Sequence, residues 1–312
     1  MKFITTQEIN RKIQEDADGF IKESEEKYNE QIKMIAQSVI DNKADEKPII
    51  LLSGPSGSGK TTTALRIERI LKESGHSTRT ISLDNYFLPK DAVNMPLDEN
   101  GKPDLESPRR LDIELLRKHI DGMVKRKYIE IPVFDFRTQS RTSFIPFVRE
   151  KDNIIIMEGI HALNPEVTGS SLNEHTTCVY VSVRTRIKAN DGFILHPRKI
   201  RLMRRLIRDK RFRGRMPYEV FDMFKSVSKG EDLYIMPYKH RADFEVDTFL
   251  ATEPSVYKGF VMDDLLELNS KEEYYEESGK IIRIMSEIQS IPTDNLSEVS
   301  LIREFIGGGS LV

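Results

Sequence analysis

The feature that most restricts this chain is an eight-residue run, Gly54-Pro-Ser-Gly-Ser-Gly-Lys-Thr61, that matches G-x-x-x-x-G-K-[ST]. It follows a continuous apolar stretch, Pro48-Ile-Ile-Leu-Leu-Ser53, of the kind that buried parallel strands show, and it precedes a helix-like segment, Thr61 to Ser74. Strand, glycine-rich turn and helix together make an anion cradle. The glycines let successive backbone N–H groups converge, and the helix presents its positive end to the same point. Gly54, Ser56, Gly57, Ser58, Gly59, Lys60, Thr61 and Thr62 are therefore the candidate phosphate residues of a nucleotide site. Lys60 is expected to bridge β- and γ-phosphates and the Thr61 hydroxyl to ligate Mg²⁺. The pattern reads phosphates rather than a base, so ATP and GTP are both open at this point.

Further apolar runs at Thr80 to Leu83, Asn153 to Met157 and Thr177 to Val183 alternate with helix-like segments such as Leu111 to Lys125. Such alternation predicts an α/β fold, the three-layer P-loop arrangement around a mainly parallel sheet. Tyr128 to Phe134 and Thr142 to Val148 read as a strand pair projecting from that sheet, and Asp91 to Pro108, rich in Pro, Asp, Asn and Gly, as a long loop with a functional task. Residues 5 to 42 carry Ile9, Ile13, Phe20, Tyr28, Ile32, Ile35 and Val39 at roughly helical spacing, with polar Asp41 to Lys47 behind them. Charged helices return after Val246, at Asp263 to Leu268, Glu272 to Gln289 and Asn295 to Phe305, before Gly307-Gly308-Gly309-Ser310. The expected division is a helical extension over 1–46, a P-loop domain over 47–260 and a C-terminal helical extension over 261–312. The two ends are expected to pack locally, with a homo-oligomer interface as the alternative.

The 48 Lys+Arg and 50 Asp+Glu leave a net charge of −2, so nothing in the balance asks for a nucleic-acid partner, and any anion site has to be local. No stretch reaches the ~20 apolar residues of a membrane span, and the N-terminus lacks the apolar core of a signal peptide. The single cysteine, Cys178, sits in the apolar run Cys-Val-Tyr-Val and reads as core in a reducing compartment. A cytoplasmic protein without membrane contact is expected.

Two carboxylates and one basic helix extend the phosphate site. Asn153-Ile-Ile-Ile-Met-Glu158 delivers an acid at the C-terminal end of a strand, where open α/β sheets bind ligands, so Glu158 is a candidate for the metal side. Asp84, just past the second strand, is placed to orient a hydroxyl and take its proton. His196 to Arg215 holds ten Arg or Lys and one acid, Asp209. Ile200, Met203, Leu206 and Ile207 share one face, leaving Arg201, Arg204, Arg205 and Arg208 as guanidinium groups for phosphate. A surface-paired Glu, a capping Asp and a solvated or nucleic-acid-binding basic face are the plainer readings of the same residues.

In their order, these motifs resemble the uridine kinase and phosphoribulokinase family, uridine kinases most closely, over Pro48 to Val246. The resemblance also rests on Asp84-Asn-Tyr86-Phe87, Glu106-Ser-Pro-Arg-Arg-Leu-Asp112, Pro132-Val-Phe134-Asp135-Phe136, Arg141, Arg204-Arg205-Leu-Ile-Arg208-Asp209, Arg213-Gly214 and Pro237-Tyr-Lys-His-Arg-Ala-Asp243. It implies ATP and Mg²⁺ as cofactors and a nucleoside as acceptor, with Asp84 as base and Glu106, where uridine kinases usually carry Asp, on the ribose hydroxyls. It implies further that Tyr86, Phe134, Phe136, Gln139 and Arg141 surround the base. Arg204, Arg208 and Arg213 come from the lid, the first two with Lys60 as catalytic groups and Arg213 toward the nucleotide. The departures fall on the base pocket: Phe134 and Gln139 stand where uridine kinases show Tyr and His, and Met223 near an expected Gln. A different hydroxyl acceptor (sugar phosphate, pantothenate or glycerate) and a nucleotide-binding regulator without turnover are the alternatives.

Overall fold

The computed structural model describes residues 2–42, 46–89, 92, 95–169 and 174–311. The chain opens with β1 (Phe3–Thr5) and α1 (Thr6–Asp41), then runs through β2 (Ile49–Ser53), α2 (Lys60–Glu73), β3 (Thr78–Ser82) and α3 (Ile113–Val124). A strand pair, β4 (Ile129–Asp135) and β5 (Ser140–Phe147), is followed by β6 (Ile154–Glu158), the single-turn α4 (Pro165–Thr168), β7 (Thr176–Ser182), β8 (Arg186–Lys188) and β9 (Ile194–Leu195). The remainder is α5 (Pro197–Arg213), α6 (Pro217–Gly230), β10 (Phe244–Asp247), α7 (Glu253–Asn269), α8 (Glu272–Glu287) and the single-turn α9 (Arg303–Ile306).

The apolar runs condense into one five-stranded sheet in the order β10-β7-β2-β6-β3, every neighbouring pair parallel. Every residue of β2, β6 and β7 is buried, as continuous Ile, Leu and Val runs require when helices cover both faces. Alternate side chains divide between two cores. Ile50, Leu52, Ile154, Ile156, Val179 and Val181 join the core built by α1, α2 and α5 to α8, whereas Ile49, Leu51, Ile155, Met157 and Tyr180 join the one under α3. Cys178 lies in the second core, in keeping with the reading from sequence.

The projecting pair β4·β5 forms its own antiparallel sheet, with a register shift between Val133 and Phe134. Of the expected loop over 91–108, residues 91, 93 and 94 lie outside the described residues, and 95–107 hold only turns and the Leu97 to Pro103 bridge.

Three details depart from the expectations. The lead-in helix breaks at Asp16 (φ −164°, ψ 93°), whose carboxylate accepts the Gly19 N–H at 2.9 Å and so caps the longer second part. The edge strand β10 buries only Val246 fully, too little apolar sequence to announce a strand. A helix over Asn295 to Phe305 does not form; turns lead instead to α9. There the hydroxyls of Ser297 and Ser300 accept the N–H groups of Val299 and Ile302, at 3.3 and 3.2 Å, and compete with a helical ladder. Among the described residues no helix is long and apolar enough to cross a membrane.

Candidate active site

β2 ends directly in the phosphate loop, and glycine is needed there for steric reasons. A Cβ on Gly54 would lie 2.0 Å from the Val181 carbonyl oxygen, and Gly57 and Gly59 hold φ of +76° and +84°, the left-handed region. Gly59 is the residue before α2, and the Thr63 hydroxyl donates to its carbonyl at 2.7 Å. The loop is tied from behind: Arg201 donates to the Ser56 carbonyl at 3.1 Å, Arg204 to that of Gly57 at 3.2 Å, and Thr248 Oγ1 to that of Ser58 at 2.7 Å. A trans peptide points its N–H opposite to its C=O, so the N–H groups of Gly57 and Gly59 face away from these donors, toward the cleft.

That cleft, about 760 Å³, is lined by Ser56, Gly57, Gly59, Lys60, Thr61, Asp84, Glu106, Phe136, Gln139, Glu158, Arg208 and Arg213 among the expected residues. Three strands aim their carboxyl ends at its centre: β2 leads through the phosphate loop to Lys60 at the start of α2, β3 through a short turn to Asp84, and β6 directly to Glu158. The Asp84 N–H donates to the Ser82 hydroxyl at 3.3 Å, which fixes the turn that carries it. Burial pushes Glu158, 8% exposed, up to about 7; Lys60 opposes this and Asp84 reinforces it. Burial also raises Asp84 against the pull of Lys60 and Arg213, and lowers Lys60 against the pull of Glu158 and Asp84. One buried and one half-buried carboxylate around a half-buried ammonium leave negative charge in excess. With the Thr61 hydroxyl on the same wall, that is a set of hard oxygen donors suited to a small divalent cation such as Mg²⁺.

α5 divides its arginines in a way that periodicity did not reveal. Its apolar residues Ile200, Met203, Leu206 and Ile207 are buried as expected, but so are Arg201, Arg204 and Arg205. Arg204, expected on the reacting phosphate, is 0% exposed and clamped by Glu253, Nε to Oε2 at 2.7 Å and Nη2 to Oε1 at 3.0 Å. Its guanidinium lies behind the loop, so the expected catalytic contact is withdrawn. The last turns do reach the cleft. Asp209, fully buried, gathers Arg205, Arg208, Arg213 and Arg215 within 2.8 to 3.4 Å. Burial alone would raise its pKa, but these arginines hold it below the usual carboxylate range. Four cations on one carboxylate leave a surplus of positive charge facing the phosphate loop.

On the acceptor side, Phe87, Phe134 and Phe136 meet edge to face with centroids 5.3 to 6.1 Å apart, Phe134 buried and Phe136 55% exposed at the rim. Gln139, at φ +53°, folds its amide back onto the Phe136 carbonyl at 2.7 Å. Glu106 lines the cleft, its pKa raised by burial and drawn down by Arg205. Two expected contacts point elsewhere: Tyr86 is buried with its hydroxyl 3.1 Å from His119 Nδ1, and Arg141 pairs with Asp112 at 3.0 Å. Ser58 and Thr62 are buried, Ser58 Oγ without a hydrogen-bond partner and Thr62 held by Glu304. Sequence reasoning missed Phe87 and Glu304. Phe87 was visible beside Asp84; Glu304 carried no local signal.

The model of the Phosphoribulokinase / Uridine kinase family matches residues 49–253. A uridine kinase of Ligilactobacillus salivarius (strain UCC118) is 32% identical over 204 residues, covering 65% of this chain and 86% of its own length. One from Halobacterium salinarum (strain ATCC 700922 / JCM 11081 / NRC-1) is 32% identical over 193 residues, 62% of this chain and 76% of its own. A solved structure of a possible uridine kinase from Bacillus stearothermophilus gives a TM-score of 0.49 at 16% identity over 70% of this chain and 98% of that one, too loose a likeness to carry an argument. With the family model spanning more than half of its length, the chain belongs to the phosphoribulokinase / uridine kinase family of P-loop kinases.

Proposed function

We propose that this kinase transfers the γ-phosphoryl group of ATP to the 5′-hydroxyl of a nucleoside of the uridine or cytidine class. The observation that carries the reading is the convergence of Lys60, Asp84 and Glu158 from three strand ends on one cleft beside the phosphate loop. Loop N–H groups and Lys60 hold the phosphates, and Arg208 and Arg213 bring positive charge to the group in transfer. Asp84 orients the attacking hydroxyl and takes its proton; a half-buried carboxylate whose pKa desolvation raises is better matched to that task near neutral pH than a fully exposed one. Thr61 and Glu158 would hold Mg²⁺, which supplies neutralisation of phosphate charge when bound. Glu106 grips the sugar hydroxyls, and the Phe87–Phe136 edge offers an apolar wall to the base.

Glu106 also favours a neutral acceptor over a sugar phosphate, because a carboxylate in the acceptor pocket repels a second phosphate. The testing experiment is steady-state kinetics of Asp84→Asn with a panel of nucleosides. kcat falls by on the order of 10² or more while ADP binding is nearly unchanged. Near-normal turnover would remove Asp84 from the mechanism, and turnover with sugars but no nucleoside would overturn the acceptor class.

A further inference from the structure

Glu304 stands outside the matched span 49–253, yet its carboxylate reaches the phosphate loop. The segment that carries it folds back across α2. Leu301 lies where a Cβ on Gly59 would meet its Cδ1 at 2.7 Å, and Arg66 Nε donates to the Val299 carbonyl at 3.1 Å. Leu301, Ile302, Phe305 and Ile306 are buried, Phe305 with the Arg204 guanidinium 5.1 Å from its ring centroid. The backbone at 304 is therefore fixed by packing, and only the half-buried side chain is free to turn.

From that anchor Glu304 Oε2 accepts the Thr62 hydroxyl at 2.5 Å and the Thr62 N–H at 3.3 Å, and it lines the same cleft as Lys60 and Asp84. Thr62 belongs to the first turn of α2, whose N–H groups have no partner within the helix and are the ones a bound phosphate takes. A carboxylate at this place satisfies the same donors as a phosphate oxygen does. It also adds a third negative group beside Asp84 and Glu158.

We infer that Glu304 is an intramolecular occupant of the phosphate cradle, a carboxylate that nucleotide has to turn aside and through which the C-terminal segment sets nucleotide affinity. The inference rests on the nucleotide reading of the phosphate loop. Binding requires the side chain to rotate while the segment stays docked, because its apolar residues are core. Removing the carboxylate frees two donors and one unit of repulsion, so affinity for phosphate chains rises.

The experiment is calorimetric titration of the full-length parent, Glu304→Gln and Glu304→Ala with ADP and, separately, with inorganic tripolyphosphate. Melting temperatures of the unliganded proteins are taken alongside. Glu304→Ala is expected to bind both ligands about tenfold or more tighter, the worth of a charge-assisted hydrogen bond, and Glu304→Gln to gain less because its amide oxygen still accepts from Thr62. A parent that binds ADP while both variants bind no tighter overturns this inference alone. So does a lower melting temperature with unchanged affinity, which makes Glu304 a packing residue. If none of the three proteins binds either ligand, the nucleotide reading itself fails and this inference with it.

Discussion

Two clusters of charge lie on opposite sides of the phosphate loop. Behind it, Arg204 meets Glu253 in a two-pronged pair and spends its remaining N–H groups on Thr248 and the Gly57 carbonyl. Burial works against both charges: for Arg204 it is outweighed by Glu253, which raises its pKa, while Glu253 is itself raised by burial although Arg204 pulls the other way, and the hydrogen bonds are what fix the pair. In front, Lys60 shares its charge between Asp84 and Glu158, and burial displaces all three from their ordinary values. The rear cluster is matched in charge and hydrogen bonds and holds structure. The front one is unmatched, and only a ligand of appropriate charge can complete it, which is how perturbed groups at functional sites differ from structural ion pairs.

The sharpest way to break the comparison is Arg204→Ala. It leaves Glu253 buried and unpaired and releases the Gly57 carbonyl, so unfolding free energy falls by about 3–5 kcal/mol, a large share of the ~5–15 typical of a domain. Denaturant titration measures it. If stability is unchanged and only kcat drops, Arg204 acts on the reacting phosphate after all and the rear cluster is not structural.

A smaller effect tests the front cluster. Because the folded-state pKa of Glu158 is raised to about 7 from an ordinary 4.5, the folded chain binds that proton more tightly than the unfolded one. Its contribution to stability is present in full below pH 4.5 and is lost as pH rises through 7. Without nucleotide the protein should therefore lose stability between about pH 4.5 and 7, by an amount on the order of 3 kcal/mol at most, and level off above. Glu158→Gln flattens that slope. Lys60, lowered by burial, works in the opposite sense toward alkaline pH. An unchanged slope in Glu158→Gln would assign the dependence to other groups.

The two clusters were unequally legible in the sequence for a physical reason. Glu158 ends its own strand and Asp84 follows its strand by two residues, so an apolar run and the acid at its end were enough to find them, while Lys60, seven residues past β2, was carried by the glycine-rich motif. The rear pair depends on a partner 49 residues away, and Glu304 meets Thr62 across 242. Helical periodicity put Arg201, Arg204 and Arg205 on the polar face of α5, since an arginine looks solvated until the acid that buries it is in place. Tyr86 was equally hard to place: its side chain joins the core under α3, whereas Phe134, buried behind the exposed Phe136, stays in contact with it and with Phe87.

The smallest effect separates the two ends of α5. Arg208 and Arg213 share Asp209 with Arg205 and Arg215, so deleting either one leaves that carboxylate well paired and costs little stability, under about 1 kcal/mol. Each also borders the cleft, and Arg213 is near enough to Asp84 to pull its pKa down. In Arg208→Ala and Arg213→Ala, kcat should fall roughly tenfold or more with the melting temperature nearly fixed. Arg213→Ala should in addition move the acid limb of the pH–kcat profile upward, because Asp84 loses a neighbour that stabilises its charge. If the melting temperature falls and kcat does not, these arginines belong with Arg204, and the front of the phosphate loop would then need another source of positive charge.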